Sequence, residues 1–167
     1  FIRSISDNPE VNFNLDVSTS EEECGFRNTA LTYLMKDFGN IEGHVIDVLR
    51  LYYKHCSLEL TCEELAKASF YLINQGKDIL GNEVLDTRNV KRVNSMMMTS
   101  GLYDNVGEFA YRVGLPAKSG VGGGIIGTLP GEFSIAVWSP ELNAAGNSVV
   151  GMKAMELFTT KTVKSIF

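Results

Sequence analysis

The chain has 167 residues, 44% of them hydrophobic and 21% charged, and its 15 Lys and Arg against 20 Asp and Glu leave a formal net charge of −5. This is the composition of one globular domain with its own core, and the acidic balance argues against a grip on nucleic acid, which needs Lys and Arg clustered against phosphates. No apolar run approaches the roughly 20 residues that span a bilayer, and nothing at the amino end reads as a signal peptide, so a cytoplasmic protein without nucleic-acid or membrane partners is expected.

Phe1-Ile2 is an apolar start without an initiator Met, which is the pattern of a fragment. Ser6-Asp7-Asn8 matches the Ser-Asp-Asn motif of β-lactamases, but followed by Pro9 it reads as a turn. The first convincing helix begins at Ser18, where Ser18 and Glu21 have capping-box spacing and Glu21, Glu22 and Glu23 suit the positive end of the helix dipole. It is expected to run to about Phe38, with Gly39 as its stop and Leu31, Leu34, Met35 and Phe38 as its apolar face. Glu21 and Asn28 then lie two turns apart on one side, where a carboxylate and a carboxamide can hold a ligand bearing both an ammonium and a carboxylate.

A second helix is expected over His44 to His55, with Val45, Val48, Leu49 and Tyr52 on the buried stripe. A buried phenol such as Tyr52 needs a hydrogen-bond partner. Thr61-Cys62-Glu63-Glu64 is a capping box that opens a third helix through Leu65, Ala68, Ser69 and Leu72, ending near Gly76. Asp86 caps a fourth, with Val90, Val93 and Met97 inward and Met96, Met97 and Met98 as adaptable core filler. Cys24, Cys56 and Cys62 fit no zinc spacing and read as buried free thiols of a reducing compartment. His44 and His55 have no metal partner at helical spacing, so no metal site is expected.

From Glu108 to Ser139 the period changes to two. Phe109, Tyr111 and Val113 alternate, as do Ile125 to Leu129, and then Phe133, Ile135 and Val137 oppose Ser134, Ala136 and Trp138. With Pro130-Gly131 as a tight turn, these runs predict an antiparallel meander. Gly146-Asn147-Ser148 opens a closing helix through Met152, Met155 and Leu157. The organisation is therefore helices over about 18–100, antiparallel strands over about 108–139 and a closing helix over about 147–164. The fold class is α/β, more narrowly α+β, an antiparallel sheet with packed helices forming part of one domain over 1–167.

Between two of the expected strands lies Gly114-Leu115-Pro116-Ala117-Lys118-Ser119-Gly120-Val121-Gly122-Gly123-Gly124, with one cation, one hydroxyl and five glycines. Glycine lets a ligand come close to the backbone, and Lys118-Ser119-Gly120 is the Lys-Ser/Thr-Gly triplet that stands beside the nucleophile in β-lactamases and penicillin-binding proteins. The same residues also fit a plain glycine-rich bend. A dinucleotide loop is rejected, because this run precedes a strand and not a helix.

Taken together with Ser20-Glu21-Glu22-Glu23-Cys24-Gly25-Phe26-Arg27-Asn28, Gly101-Leu102-Tyr103-Asp104, Trp138-Ser139-Pro140 and Gly146-Asn147-Ser148, in that order along the chain, this stretch resembles the serine-dependent glutaminases. The resemblance implies a β-lactamase/transpeptidase-like fold and hydrolysis of L-glutamine to L-glutamate and ammonia, without metal or organic cofactor. It implies that Glu21, Asn28 and Tyr52 hold the amino and carboxylate groups of the substrate. Tyr103 would stand next to the nucleophilic serine and handle a proton, and the backbone N–H of Val121 would help form the oxyanion hole. Lys118, Ser119 and Gly120 would support the site. It also implies a homo-oligomer.

The family's Ser-x-x-Lys pair is missing: Ser20 leads to Glu23, Ser95 to Met98, Ser119 to Gly122 and Ser148 to Gly151. The expectation is a carboxy-terminal half that starts after the nucleophile, inactive alone, with the amino-terminal half as its partner. Ser119 is no substitute, since its strand neighbour Lys118 points to the opposite face. Two other readings stay open: a fragment of a serine β-lactamase or penicillin-binding protein, which would react with a penicillin reporter, and a noncatalytic anion-binding module.

Overall fold

A computed structural model describes residues 1–167. The chain divides into two compact units, one of Glu10–Leu60 and one of Phe1–Pro9 with Thr61–Phe167.

In the smaller unit three helices, α2 (Leu15–Cys24), α3 (Phe26–Asp37) and α4 (Val45–Cys56), follow the short α1 (Ile2–Ile5) of the other unit. The expected first helix is two helices. Asn14, not Ser18, caps α2 by accepting from the Val17 N–H, and Ser18 lies buried inside it. The chain breaks at Gly25 because Tyr53 Oη donates there to the Gly25 carbonyl at 3.3 Å. A Cβ on Gly25 would stand 2.0 Å from that hydroxyl and 2.5 Å from the Glu21 carbonyl oxygen, so only glycine fits the junction.

The buried stripe of α4 is Val45, Leu49 and Tyr53. Val45 and Leu49 are as expected, but Tyr53 is 2% exposed while Tyr52 is 47% exposed, so the buried phenol is the neighbour of the one predicted. Val48, also expected to be buried, is exposed, and in the last turn the Gly25 carbonyl holds Tyr53. Leu31, Leu34 and Met35 on α3, and Phe38 at its C-cap, are exposed as well; α3 buries Thr32 instead.

The larger unit holds α5 (Cys62–Ser69), a 3₁₀ turn over Phe70–Leu72, α6 (Thr87–Ser100), a second 3₁₀ turn over Tyr103–Asn105, α7 (Val106–Arg112), β1 (Ala117–Ser119), β2 (Gly124–Leu129), β3 (Phe133–Trp138) and α8 (Val149–Thr162). The helix starts follow the sequence. Thr61 and Glu64 form the reciprocal capping box, Asp86 accepts from the Asn89 N–H, and Ser148 accepts from the Gly151 N–H. The third helix stops at Ser69, short of the expected Gly76. Of the methionines on α6, Met97 is buried but Met96 is exposed.

The sheet is antiparallel with order β1-β2-β3, and Leu129 pairs with Phe133 across the Pro130-Gly131 turn. The run expected as the first strand, Phe109 to Val113, is instead the end of α7. Its alternation misled because Phe109 and Val113, both buried, are four apart, which is a multiple of the strand period and close to one helical turn. Tyr111 between them is 90% exposed, and Arg112 Nε donates to Glu108 one turn back at 2.9 Å.

Leu102, Phe109, Val113, Leu115, Ala117, Ile125, Leu129 and Met155 form the core of this unit, with Phe133, Ile135 and Val137 packed on it. The other face of β3 carries Ser134, whose hydroxyl donates to the Ala66 carbonyl of α5 at 2.8 Å. The sheet thus lies between α8 and α5, a mixed α/β layering. Cys24, Cys56 and Cys62 are free but exposed, contrary to the burial expected of them.

Candidate active site

Glu21 near the end of α2 and Asn28 in the first turn of α3 line one cleft of about 530 Å³ together with Ser20, Cys24, Gly25, Phe26 and Arg27. Both border this cleft although the helix expected to carry them is interrupted between them at Gly25. Tyr52 is in the same unit and meets Tyr53 edge to face, with ring centroids 5.8 Å apart. The Gly25-bound Tyr53 therefore supports the Tyr52 ring.

In the larger unit Tyr103, Lys118 and Val121 come together. Tyr103 follows the buried Leu102 and lies in the left-handed region at φ 50, a conformation bulky residues adopt only when their surroundings impose it. β1 alternates, Ala117 and Ser119 inward and Lys118 outward. This puts the Lys118 ammonium over the Tyr103 ring at 5.1 Å from its centroid, where the negative face of the ring attracts it. Lys118 Nζ also donates to the Ser119 carbonyl. Burial of the ammonium lowers the Lys118 pKa, because a charged amine loses hydration there.

After β1 the chain turns through the glycines. Gly120 N–H donates to the Gly124 carbonyl at 2.9 Å and Gly123 N–H to the Gly120 carbonyl at 3.0 Å. Trp138 Nε1 donates to the Gly122 carbonyl at 2.8 Å and holds the loop from β3. None of these bonds uses the amide of Val121. Gly146, at φ 93, closes the group: a Cβ there would lie 3.6 Å from Val121 Cγ1 and 3.7 Å from the Tyr103 ring.

Ser119 is buried, and its hydroxyl donates to Asn147 Oδ1 at 2.5 Å. It also makes a long bond of 3.4 Å to the Gly101 carbonyl. A hydroxyl so committed, with Lys118 on the other face, has no base to activate it. No group of three or more His, Cys, Asp or Glu is arranged to hold a metal ion.

The family model described as Glutaminase matches residues 1–167. The chain belongs to the glutaminase family. A glutaminase of Shewanella baltica (strain OS195) is 49% identical over 166 residues, covering 99% of this chain and 55% of the relative; that of Shewanella oneidensis is 48% identical with the same coverage. Among solved structures, the covalent complex of a Bacillus subtilis glutaminase with 5-oxo-L-norleucine, formed by reaction with 6-diazo-5-oxo-L-norleucine, superposes with a TM-score of 0.93 at 30% identity, covering 99% of this chain and 59% of that one. The fold is accordingly the β-lactamase-like fold of glutaminases, and the chain spans about 55% of the length of the curated relatives it matches.

Two residues of this glutaminase cluster were quoted in the sequence without a role. Gly146, at φ 93, lies next to both Tyr103 and Val121, and the buried Asn147 bonds the turn on either side of Tyr103. The only local signal was the spacing of Asn143, Gly146 and Asn147 just before a helix, which reads equally as a loop and cap.

Proposed function

We propose that this chain supplies part of the active site of a glutaminase that hydrolyses L-glutamine to L-glutamate and ammonia. The observation that carries the reading is the gathering of Tyr103, Lys118 and Val121 around the glycine loop in a chain matched by the glutaminase family over its full length. The nucleophilic serine and its lysine belong to the part of the family's length that this chain does not span. The serine oxygen attacks the side-chain amide carbon of glutamine, and the carbonyl oxygen takes up the negative charge against the Val121 N–H. Tyr103 relays the proton given up by the serine to the leaving nitrogen, ammonia departs, and water then attacks the glutamyl ester, one of its protons returning to the serine oxygen as glutamate is released. Glu21, Asn28 and Tyr52 hold the amino and carboxylate groups of the substrate. Both compact units are read as parts of one domain.

The same reading includes a homo-oligomer, which sedimentation of the full-length enzyme checks, and a place in the cytoplasm, which the three free exposed thiols suit. The deciding experiment is ammonia release from L-glutamine by the purified 167-residue chain, alone and mixed with the remainder of the family's length. Silence alone and activity on mixing are expected. Turnover by the chain alone would mean that a serine within it does the chemistry, and the split assignment would fall.

A further inference from the structure

We propose that Asn147 is a positioning residue for Tyr103: its buried carboxamide ties the turn that carries Tyr103 to β1 and to the loop before α8, and so holds the phenol beneath Lys118 and beside Val121. The proposal rests on the functional reading above and adds to it a residue that does not touch the substrate.

Asn147 is 0% exposed. Its Oδ1 accepts from Ser119 Oγ at 2.5 Å. Its Nδ2 donates to the Leu102 carbonyl at 3.0 Å and to Asn105 Oδ1 at 2.8 Å. The orientation of the amide is determined, because a carbonyl such as that of Leu102 can only accept and must face the nitrogen. Leu102 and Asn105 bracket Tyr103, so one side chain grips the turn on both sides of the phenol.

A second asparagine doubles the grip. Asn143 Nδ2 donates to the same Asn105 Oδ1 at 3.0 Å, and Asn143 Oδ1 accepts from the Asn147 N–H at 3.0 Å. Ser119 N–H donates to the Gly101 carbonyl at 3.1 Å, which ties the start of the turn to β1. Tyr103 itself stands at φ 50 and is half exposed, so neither its own backbone preference nor burial of its ring keeps it there. The side-chain bonds that reach the turn on both sides of Tyr103, at Leu102 and Asn105, come from Asn147, with Asn143 joining at Asn105. Ser119 of the Lys-Ser-Gly triplet thereby acquires a role: its hydroxyl orients Asn147.

The test uses the full-length enzyme. Asn147→Ala is expected to lower kcat for L-glutamine roughly ten- to hundredfold with KM changed by less than about twofold, since displacement of a reacting group by about 1 Å costs that much. Added to Tyr103→Phe it should lower kcat no further, because it acts through that phenol. The ring resonance of Tyr103, assigned by NMR through its loss in Tyr103→Phe, should shift in Asn147→Ala. An equal fall in kcat on the Tyr103→Phe background, or an unmoved Tyr103 resonance, overturns the proposal. If the parent enzyme releases no ammonia, the functional reading fails and the resonance alone decides the role of Asn147. If Asn147→Ala does not fold, Ser119→Ala, which removes one bond to Asn147, is read by the same resonance with the same two outcomes.

Discussion

Tyr103 and Glu21 carry opposite duties in the proposed reaction, and single-atom changes separate them. Tyr103→Phe in the full-length enzyme removes the proton carrier but leaves the ring under Lys118, so kcat should fall by about 10²-fold or more while KM moves little. Glu21→Gln keeps the size of the side chain and removes the charge offered to the substrate ammonium, so KM should rise with kcat less affected. Steady-state kinetics on L-glutamine check both, and full turnover in Tyr103→Phe would remove the phenol from the mechanism. A third residue bears on stability. Asp78 is buried, and side-chain and backbone N–H groups of Asn82, with those of Leu80 and Gly81, hold its pKa below the usual carboxylate range. A carboxyl depressed in the folded state stabilises above its unfolded pKa of about 3.9 and loses that contribution as pH falls through the folded value. The thermal midpoint should therefore drop below about pH 4, and Asp78→Asn should lower the neutral-pH midpoint and flatten this acid dependence. An unchanged acid profile in that variant would show that other carboxylates set it.

At the scale of elements, the junction between α2 and α3 is the point where packing overrules pattern. The sequence reads as one helix from Ser18 to about Phe38, and that pattern does not call for the break at Gly25. It is imposed by Tyr53, far along the chain on α4, whose hydroxyl bonds the Gly25 carbonyl. Gly25→Ala places a methyl against that hydroxyl and against the Glu21 carbonyl. The expected cost is about 1–3 kcal/mol, together with a raised KM, because Glu21 and Asn28 lie on either side of the displaced joint. Denaturant unfolding and glutamine kinetics check the two effects, and an Ala variant of parental stability would show that α2 and α3 can close up without Tyr53.

At the scale of the whole molecule, α3 leaves Phe26, Leu31, Leu34, Met35 and Phe38 in solvent, and the chain spans about 55% of its relatives' length. Exposed apolar side chains in such number are a liability for the 167-residue chain by itself. It should bind an apolar fluorescent dye and self-associate, and addition of the remainder of the family's length should suppress both. A dye-silent monomer would mean that these side chains are tolerated in water without a cover.

What the sequence by itself determined was whatever is decided within a few residues. The caps at Thr61, Asp86 and Ser148, the Pro130-Gly131 turn and the alternation of Lys118 and Ser119 are all of this kind, because their hydrogen bonds or facing rules span one turn of chain. Glu21, Asn28, Tyr52, Tyr103 and Val121 were legible as candidates through the family resemblance of several such stretches. Only the tertiary structure decided which of Tyr52 and Tyr53 is buried, whether Phe109 to Val113 is helix or strand, and which groups Asn147 bonds. The burial of Tyr53 and the bonds of Asn147 rest on partners distant in sequence: Tyr53 and Gly25 are 28 residues apart, as are Ser119 and Asn147, and Asn147 is 45 from Leu102. A local pattern compatible with two periods or two faces is resolved only when the fold brings such a partner within reach, since a buried polar group takes the conformation in which its hydrogen bonds are made.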